Sequence, residues 1–578
     1  MKFKLSIIAF LLAASGLQAQ VLTLVKDINP GSSGAVGMFH KALVFDNRLY
    51  FTANDGIHGE EFWSTDGTEG GTEMLMDIHA GAQNATPDYT QYGRFPGMCE
   101  FDGFLYFTAN ADNFGEELWR TNGIAGNTTM CQEVYPGFMD ASPTFFHKYK
   151  DLMFFTAIHP EYQREPFVLR HDELNNDEPL ITSLGDLFSI NSVLTTMWNT
   201  YSPENSGNVI TFMDTLIFRW YGLGSGLETW ITNGTPQGTS ILYDNYEVSN
   251  LELGSAPSGY SVLQDTILCY NAENQDGEHV WTIKRDPSFP NAFVNSIIAT
   301  PNSAGYANIQ ELFVHEDQLY FSADDGVHGQ ELWVSNGTFE GTFMLKDIVN
   351  GSSGSYPKNF VSYDGNLYFT TFDGFDEGHI WISDGTEDGT FSAADIWNSA
   401  LTRSYANMNW IEYNGKLYYP AFNSQMSEHY LCVTDGSAEG TNWVVPSNGG
   451  GYIQLFNSFN KFIVMNNELY FIANPSSGET GPEVYKLTDD NVSYLESIEI
   501  ERQMKLYPNP SCEELTILLS DGSKLSQIEI VNLDGKLISQ HLLTQTQTTL
   551  DISGLMPGVY IVKYACNDYS RSLRFVKH

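Results

Sequence analysis

The chain of 578 residues is strongly acidic, with 71 Asp and Glu against 28 Lys and Arg and a formal net charge of −43. A surface of this sign repels nucleic acid and anionic lipid, so the charge excludes both as expected partners. Aromatic residues make up 14% of the chain and there are 51 glycines, a composition typical of a folded all-β protein rather than a disordered one.

The first nineteen residues have the pattern of a secretory signal peptide. Lys2 and Lys4 form its charged start, an apolar run follows from residue 5 to residue 14, and cleavage after Ala19 would leave Gln20 at the new N-terminus. The run is too short to span a bilayer, and no later segment is long and apolar enough to do so. We therefore expect an exported protein with a signal peptide at 1–19 and no membrane span.

A unit of strands and turns occurs nine times between residues 20 and 499, with most copies about fifty residues apart. Its second strand begins at Arg48, Phe104, Leu152, Thr215, Thr266, Gln318, Asn366, Lys416 and Glu468. Each full unit has four strand-like segments joined by glycine-containing turns, as in ALVF, LYFTA, EEFWST and EMLMDI. Four antiparallel strands make one blade, so we predict an all-β fold: a multi-bladed β-propeller of eight or nine four-stranded blades.

The segment VLTLVKDI, which begins at Val21, resembles the last strand of a unit but stands alone before the first one. A leftover strand at one end is what ring closure requires, because the two ends of the chain then share a blade. A linear solenoid is the alternative, and it has no use for such a strand.

Aspartate and glycine recur at the hairpin turns, which predicts a structural role in capping. Asp and Asn side chains bond to the backbone of their own turn, and glycine provides the positive φ that tight turns need. The loop TANDGIHGEEFW resembles the Asp-box hairpins of sialidase-like proteins, a resemblance that implies the same capping. Loose calcium binding by these carboxylates is the alternative, and the sequence identifies no metal site. No resident cofactor is expected. The capping residues are Asp55, Gly56, Asp66, Gly67, Asp325, Gly326, Asp384 and Gly385.

The wider pattern ELWxSDGTxxGTxxLKDI, seen in EFWSTDGTEGGTEMLMDI and ELWVSNGTFEGTFMLKDI, resembles repeats of secreted proteins from Bacteroidota-type bacteria. The resemblance covers residues 21–499. It implies a propeller-like extracellular module, and it implies no particular reaction.

Positions that break the repeat are the candidates for ligand contact. Arg164 lies in HPEYQREPF, and Arg219, Trp220 and Tyr221 are consecutive in FRWYG. An arginine beside aromatic rings can stack on a sugar or hold an anion, although ordinary loop charges and packed aromatic residues are the plainer interpretation.

The chain contains no G-x-S-x-G, H-E-x-x-H or phosphate-loop motif. We therefore expect a module that binds a glycan or a protein rather than an enzyme. The alternatives are a polysaccharide-acting enzyme with a carboxylate pair at the propeller channel, and a structural component of the envelope or biofilm.

The composition changes at residue 500, and 500–578 reads as a small β-sandwich. The segments LYPNP, NLDGKLI, LDISGLMPGVYIVKY and FVKH resemble the type A sorting domain of the type IX secretion system. The resemblance implies that the translocon of that system is a partner and that the protein is secreted or held at the outer cell surface. A Cys512–Cys566 disulfide is left open. The matching residues are Tyr507, Pro508, Asn509, Pro510, Asp534, Gly535, Gly558, Tyr560 and Lys577.

Overall fold

The computed structural model describes residues 20–31, 34–35, 42–86, 97–161, 163–172, 178–185, 208–222, 225–246, 254–289, 292–303, 305–372, 378–404, 409–423, 428–448, 451–455, 461–474, 481–489, 504–507, 514–519, 526–532, 536–543, 547–556, 558–566 and 569–577. One compact unit is Gln20–Thr488, and a second contains Asp489–His578. The signal peptide predicted at 1–19 lies outside the described residues.

In the first unit, the described strands form nine antiparallel sheets, which we number as blades 1 to 9. Blades 1 to 3 contain the strands Leu43–Phe45, Arg48–Asn54, Glu60–Thr65 and Glu73–Met74; Met98–Phe101, Phe104–Ala111, Gly115–Thr121 and Thr129–Gln132; and Thr144–Tyr149, Leu152–His159, Gln163–Asp172 and Glu178–Ser183. Blades 4 to 6 contain Val209–Phe212, Thr215–Gly222, Gly226–Thr232 and Ser240–Tyr243; Ser258–Leu263, Ile267–Asn274, Gly277–Arg285 and Phe293–Ala299; and Gln310–His315, Gln318–Asp324, Gln330–Ser335 and Thr342–Lys346.

Blade 7 has a fifth short strand, and blade 9 combines strands from both ends of the unit. Blade 7 contains Lys358–Tyr363, Asn366–Phe372, Gly378–Ser383, Phe391–Ser392 and Arg403–Ser404. Blade 8 contains Ile411–Tyr413, Lys416–Asn423, Glu428–Thr434 and Asn442–Trp443. Blade 9 contains Ile463–Met465, Glu468–Ala473, Glu483–Asp489 and Gln20–Leu24. Short 3-10 helices occur at Ala125–Asn127, Pro236–Gly238, Ala393–Asp395 and Ser399–Leu401.

The nine blades pack side by side in a ring. A separate apolar cluster lies between each pair of consecutive blades. A further cluster joins Phe51 and Trp63 of blade 1 to Tyr470 and Val484 of blade 9. The strand Gln20–Leu24 lies beside Glu483–Asp489 in the last sheet, as the leftover strand of the sequence predicted. This arrangement is that of a nine-bladed β-propeller, and the prediction of an all-β fold with eight or nine blades is confirmed.

Neighbouring blades interlock through the turn between the third and fourth strands. In this turn Gly67 has φ +91°, and a Cβ on it would overlap the hydroxyl of Tyr470 on the second strand of the preceding blade. The same contact recurs between Gly123 and Tyr50, where an added Cβ would lie 2.6 Å from the hydroxyl oxygen. Glycine is therefore required both by the turn and by the neighbour that the turn packs against.

The second unit contains two sheets that share one apolar core, as in a small β-sandwich. Tyr560 is buried and its hydroxyl donates to the Met556 carbonyl oxygen at 2.9 Å, and Gly558 pairs with the buried Lys577. The strands are Met504–Tyr507, Glu514–Leu519 and Gln547–Asp551 in one sheet, and Leu537–Leu543, Ser526–Asn532, Gly558–Cys566 and Tyr569–Lys577 in the other.

Several predicted features of this second unit lie outside the described residues. They are Pro508, Asn509, Pro510, Asp534, Gly535 and Cys512, so the disulfide with Cys566 stays a prediction. In the described part of the propeller, Cys99, Cys131, Cys269 and Cys432 form no disulfide.

We expect Gly67→Ala to lower the melting temperature, because the new methyl group meets Tyr470 and alanine is strained at this φ. The expected loss is about 1–3 kcal/mol of unfolding free energy. Gly70→Ala is the matched control in the same turn, since no atom lies within 4 Å of its added Cβ. Equal melting temperatures for the two variants, measured by calorimetry, would contradict the interlocking role.

Candidate functional site

The antiparallel order of the strands gives the ring two different ends. The turns between first and second strands and between third and fourth strands lie at one end, which we call the turn end. The hairpins between second and third strands, and the links to the next blade, lie at the other, which we call the connection end. First strands of neighbouring blades approach one another, so they are innermost in the ring.

The predicted capping residues divide between the two ends. Asp66, Gly67, Asp384 and Gly385 lie in turns between third and fourth strands, at the turn end. Asp55, Gly56, Asp325 and Gly326 lie in hairpins between second and third strands, at the connection end.

At the turn end, each aspartate bonds within its own turn. Asp66 Oδ1 accepts hydrogen bonds from Thr68 N at 2.9 Å and Thr68 Oγ1 at 2.7 Å, and Asp384 makes the same pair with Thr386 at 3.0 and 2.7 Å. The hydrogen bonds from Thr386 lower the pKa of Asp384. Within the described ranges, no group of three His, Cys, Asp or Glu side chains is placed to hold a metal ion.

At the connection end, two hairpins carry the same aspartate–histidine pair. Asp55 Oδ1 accepts from the backbone N of Ile57 and of His58, and Asp55 Oδ2 lies 2.7 Å from His58 Nδ1. Asp325 and His328 repeat this geometry, again at 2.7 Å. The hydrogen bond that the His58 ring donates to the Asp55 carboxylate raises the pKa of His58. The pair closes its own hairpin, so its recurrence indicates a shared structural element and not a unique catalytic one.

We expect Asp55→Asn to lower the pKa of His58 towards 6.5, because the carboxylate that favours the imidazolium form is lost. NMR titration of 13C-labelled histidine checks this shift. His328 is the internal control, since its own partner Asp325 is unchanged. A histidine pKa that is raised in the folded state stabilises the fold below pH 6.5, and this stabilisation is lost as pH rises through the pKa of the folded state. The part of the stability loss in Asp55→Asn that comes from His58 should therefore be larger at pH 5.5 than at pH 8.5. An unchanged His58 pKa would rule out the pairing.

A buried glutamate lies near the start of the third strand in seven blades. Glu61, which is fully buried, accepts from the backbone N of Ile78 at 3.1 Å and of His79 at 3.3 Å. Glu331 likewise accepts from Ile348 N, Val349 N and Ser355 Oγ. The carboxylates thus hold the link to the next blade. The seven residues are Glu61, Glu117, Glu165, Glu228, Glu278, Glu331 and Glu483.

Burial raises the pKa of several of these glutamates despite the amide donors, which favour the ionised form. The pKa of Glu61 rises to about 8, and those of Glu117, Glu228 and Glu483 rise to about 7. A carboxyl with a raised pKa is a common sign of a general acid. Here each group is enclosed by protein, so it cannot reach a substrate.

We expect Glu61→Gln to make stability less dependent on pH. The folded state binds this proton more tightly than the unfolded state, so the wild type loses stability as pH rises from about 5 to 8, by at most about 1.4 kcal/mol per pH unit for one group. Melting temperatures from pH 5 to 8 should therefore fall less steeply in the variant. Glu69→Gln removes the same charge from an exposed position and should run parallel to the wild type. Parallel curves for Glu61→Gln as well would exclude the effect.

The first strands of four blades begin with a β-bulge at the connection end. The register shifts lie at Thr144/His147, Ser258/Ser261, Gln310/Phe313 and Lys358/Val361. The second residue of each strand has positive φ, and so does the residue three positions earlier. These residues are Phe145, Gly259, Glu311 and Asn359, and Ser142, Ala256, Asn308 and Tyr356. Bulges re-aim side chains and are frequent beside binding and active sites, where strained backbone also concentrates.

The bulge of blade 6 presents a carboxylate next to a lysine of blade 7. Burial raises the pKa of Glu311, while the backbone N of Asn359 and the charge of Lys358 act in the opposite direction. The Lys358 ammonium lies 5.2 Å from the ring centroid of Phe372. The side chain of Glu311 is nevertheless exposed to solvent.

The four residues predicted to contact a ligand do not form one cluster. Arg164 Nη1 donates to Ser142 O, Thr144 Oγ1 and Thr156 Oγ1 at 3.0–3.2 Å, so it ties together the bulge of blade 3. Trp220 is 1% exposed and packs between blades 3 and 4, where it cannot stack on a sugar. Arg219 and Tyr221 are partly exposed and lie on the opposite side of the strand, towards blade 5.

The sequence also carried signals that our interpretation missed. Three of the four bulges coincide with the segments ASPTFF, SAPSGY and SYPKNF, which share a proline between the two positive-φ positions. The buried glutamates stand two residues before the tryptophan in FW and LW pairs such as those ending in Trp63 and Trp119. Among 71 acidic residues, sequence spacing alone does not distinguish these glutamates from surface charges.

The comparison with known families concerns the second unit. Residues 505–578 match the secretion system C-terminal sorting domain. The match bears out the resemblance seen in the sequence and indicates export through the type IX secretion system to the cell surface or the extracellular space. No curated protein sequence matches the chain significantly. Among the described residues, no helix has the length and apolar character needed to cross a membrane.

Several solved structures are similar to the chain at low identity. PorZ, an essential surface component of the type IX secretion system of Porphyromonas gingivalis, is 10% identical over 95% of this chain and 82% of its own, with a TM-score of 0.25. Prolyl oligopeptidase B from Galerina marginata is 8% identical over 66% and 56% of the two chains, with a TM-score of 0.36. A puromycin hydrolase is 10% identical over 66% and 58%, with a TM-score of 0.32. The chain spans little more than half of each peptidase, and similarity this weak establishes no activity.

Proposed function

We propose that this protein is a secreted or cell-surface binding protein, and that the connection end of its propeller binds a glycan or a protein. The observation that carries the proposal is the set of four bulged first strands at that end. The type IX sorting domain supports it, because export places this surface where an extracellular ligand can reach it.

The bulges support binding because strained backbone is concentrated at them, as it is at many binding sites. A non-glycine residue with positive φ costs of the order of 1–3 kcal/mol, and Phe145 and Glu311 both have φ 59°. The backbone holds these conformations on a rigid base, since an apolar cluster fills each interface between blades. Rigid support for polar side chains is what a pre-organised binding surface needs.

An enzyme acting on polysaccharide is less well supported. Glycosidases use two carboxyl groups about 5–9.5 Å apart. Glu311 is open to solvent, but the charged group that influences it is Lys358 and not a second carboxylate. The buried glutamates are enclosed and bonded to backbone amides. The absence of any binding ligand would favour a structural role in the envelope.

The sorting domain is handled by the type IX secretion system, and we propose that Gly558, Tyr560 and Lys577 contribute to its recognition. Tyr560 and Lys577 are buried and Gly558 pairs with Lys577. Their first effect is to fix the last two strands, so they would act by holding the recognised surface in shape.

Binding of the purified full chain to glycan and extracellular-protein arrays tests the proposed function. For any ligand found, Lys358→Ala should weaken binding at least about tenfold, since a charge-assisted hydrogen bond contributes about 1.5–3 kcal/mol. Asp388→Ala is the control, because Asp388 is exposed at the turn end. Retained binding by Lys358→Ala would remove the connection end from consideration, and release of new reducing ends from a polysaccharide would favour the enzyme.

A further inference from the structure

One position of the repeat is filled very differently in blade 4. The position lies on the second strand, near its connection end, and its side chain faces the next blade. In most blades this side chain is small, uncharged and buried. In blade 4 the same position holds Arg219. The corresponding residues in the other blades are Thr52, Thr108, Thr156, Asn271, Ser322, Thr370, Pro420 and Ile472.

In five of the other blades the side chain at this position makes a hydrogen bond to protein atoms, while Pro420 and Ile472 have no polar side-chain atom and Ser322 Oγ has no partner. Thr108 Oγ1 donates to Pro143 O at 2.6 Å, and Asn271 Nδ2 donates to Glu278 Oε1 at 3.1 Å. The position thus usually holds a neutral side chain whose polar atoms are satisfied within the propeller. An arginine there is not needed to complete the fold.

The Arg219 guanidinium has no hydrogen-bond or ion-pair partner among the described residues. Its backbone N donates to Asn208 O at 2.8 Å, but its side chain makes no such contact. Other arginines differ: Arg48 donates to Ser64 Oγ and Gly71 O, and Arg170 donates to Gly234 O. Burial lowers the pKa of Arg219, and Tyr260 is the ionisable group that acts on it.

The surroundings of Arg219 are neutral and rich in hydroxyl groups. Thr229 is its cross-strand partner, and Thr229 Oγ1 lies 2.9 Å from the hydroxyl of the buried Tyr260. Tyr221 lies two residues further along the same side of the strand. A partly buried guanidinium without a counter-ion is costly, and in a chain of net charge −43 a nearby carboxylate would be easy to provide.

We propose that Arg219 binds the carboxylate of an acidic saccharide between blades 4 and 5, an inference that rests on the proposed function of the propeller. The planar guanidinium matches a carboxylate with two parallel hydrogen bonds. One arginine among neutral hydroxyl and aromatic groups suits a sugar with one acid group, such as a uronic acid residue. A densely charged polymer would be repelled by the rest of the surface.

The test compares oligosaccharides that contain glucuronate or galacturonate with their carboxyl-reduced counterparts, by calorimetric titration of the full chain. The wild type should bind the acidic forms at least about tenfold more tightly than the reduced forms, and Arg219→Gln should abolish this difference. Arg170→Gln is the matched control, because it removes one positive charge at the turn end and should retain the preference.

Melting temperature separates loss of a ligand contact from loss of structure. Because the Arg219 side chain makes no hydrogen bond or ion pair with the described residues, Arg219→Gln should melt at the wild-type temperature or above it. A lower melting temperature with an unchanged preference would overturn the inference, as would equal binding of acidic and reduced sugars by the wild type. Tighter binding of Asp- and Glu-rich peptides than of uronates would also overturn it. The proposed function is judged separately, from the arrays and Lys358→Ala.

Discussion

The structure depends on the contact by which one blade packs its turn against the second strand of the blade before it. A four-stranded sheet of this kind has two apolar faces, and it cannot bury both alone. Each blade therefore needs a neighbour on either side, and the chain meets that need for the first and last blades by returning Gln20–Leu24 to the final sheet. The glycine of each turn allows close approach, as between Gly67 and Tyr470.

The same contact explains why the repeat can decay without loss of the fold. Blade 3 has no tyrosine to face the turn of blade 4, but Leu152 lies against Gly234 there instead, and Ile267 does the same for Gly337. Where blade 3 lacks the glycine turn, Tyr106 of blade 2 bonds to His171 at 2.8 Å. In each case a side chain fills the interface between two blades, although the residue that fills it varies. The copies at 55–78 and 325–348, which match each other well, are therefore those that retain the most common interface residues, and their similarity does not indicate catalysis.

The fold could be predicted from the sequence because its determinants are local and repeated. Alternating apolar residues and glycine turns define the strands, and a period of about fifty residues defines the blade. The number of blades was left at eight or nine because propellers usually have four to eight, whereas the structure has a sheet for every copy. The bulges were missed because they depend on backbone angles at Ser142, Phe145 and similar residues, which no side-chain periodicity reports.

The candidate site was predicted only in part, for a reason that strand geometry makes plain. Consecutive residues of a strand point to opposite faces, so Arg219 and Trp220 could not contact one ligand from the same sheet. Trp220 packs towards blade 3, and Arg219 is left facing blade 5. Periodicity alone could have separated the two, but the absence of an acceptor for Arg219 depends on contacts between distant segments.

The use of basic residues elsewhere shows why Arg219 is exceptional. With 28 Lys and Arg in the chain, several are used to join one blade to the turn of the next. Lys26 donates to Thr72 O at 2.7 Å, Lys284 to Gly337 O at 3.1 Å, and Lys346 to Thr390 O at 2.6 Å. Each of these cations satisfies a backbone carbonyl in a turn between third and fourth strands, at the turn end, so its role ends with the fold. Arg219 lies nearer the other end, on a position that a threonine fills in several blades, and its guanidinium satisfies no described group. A charge that the fold does not use, on the side of the ring where the backbone is strained, is best explained by a partner that is not part of the chain.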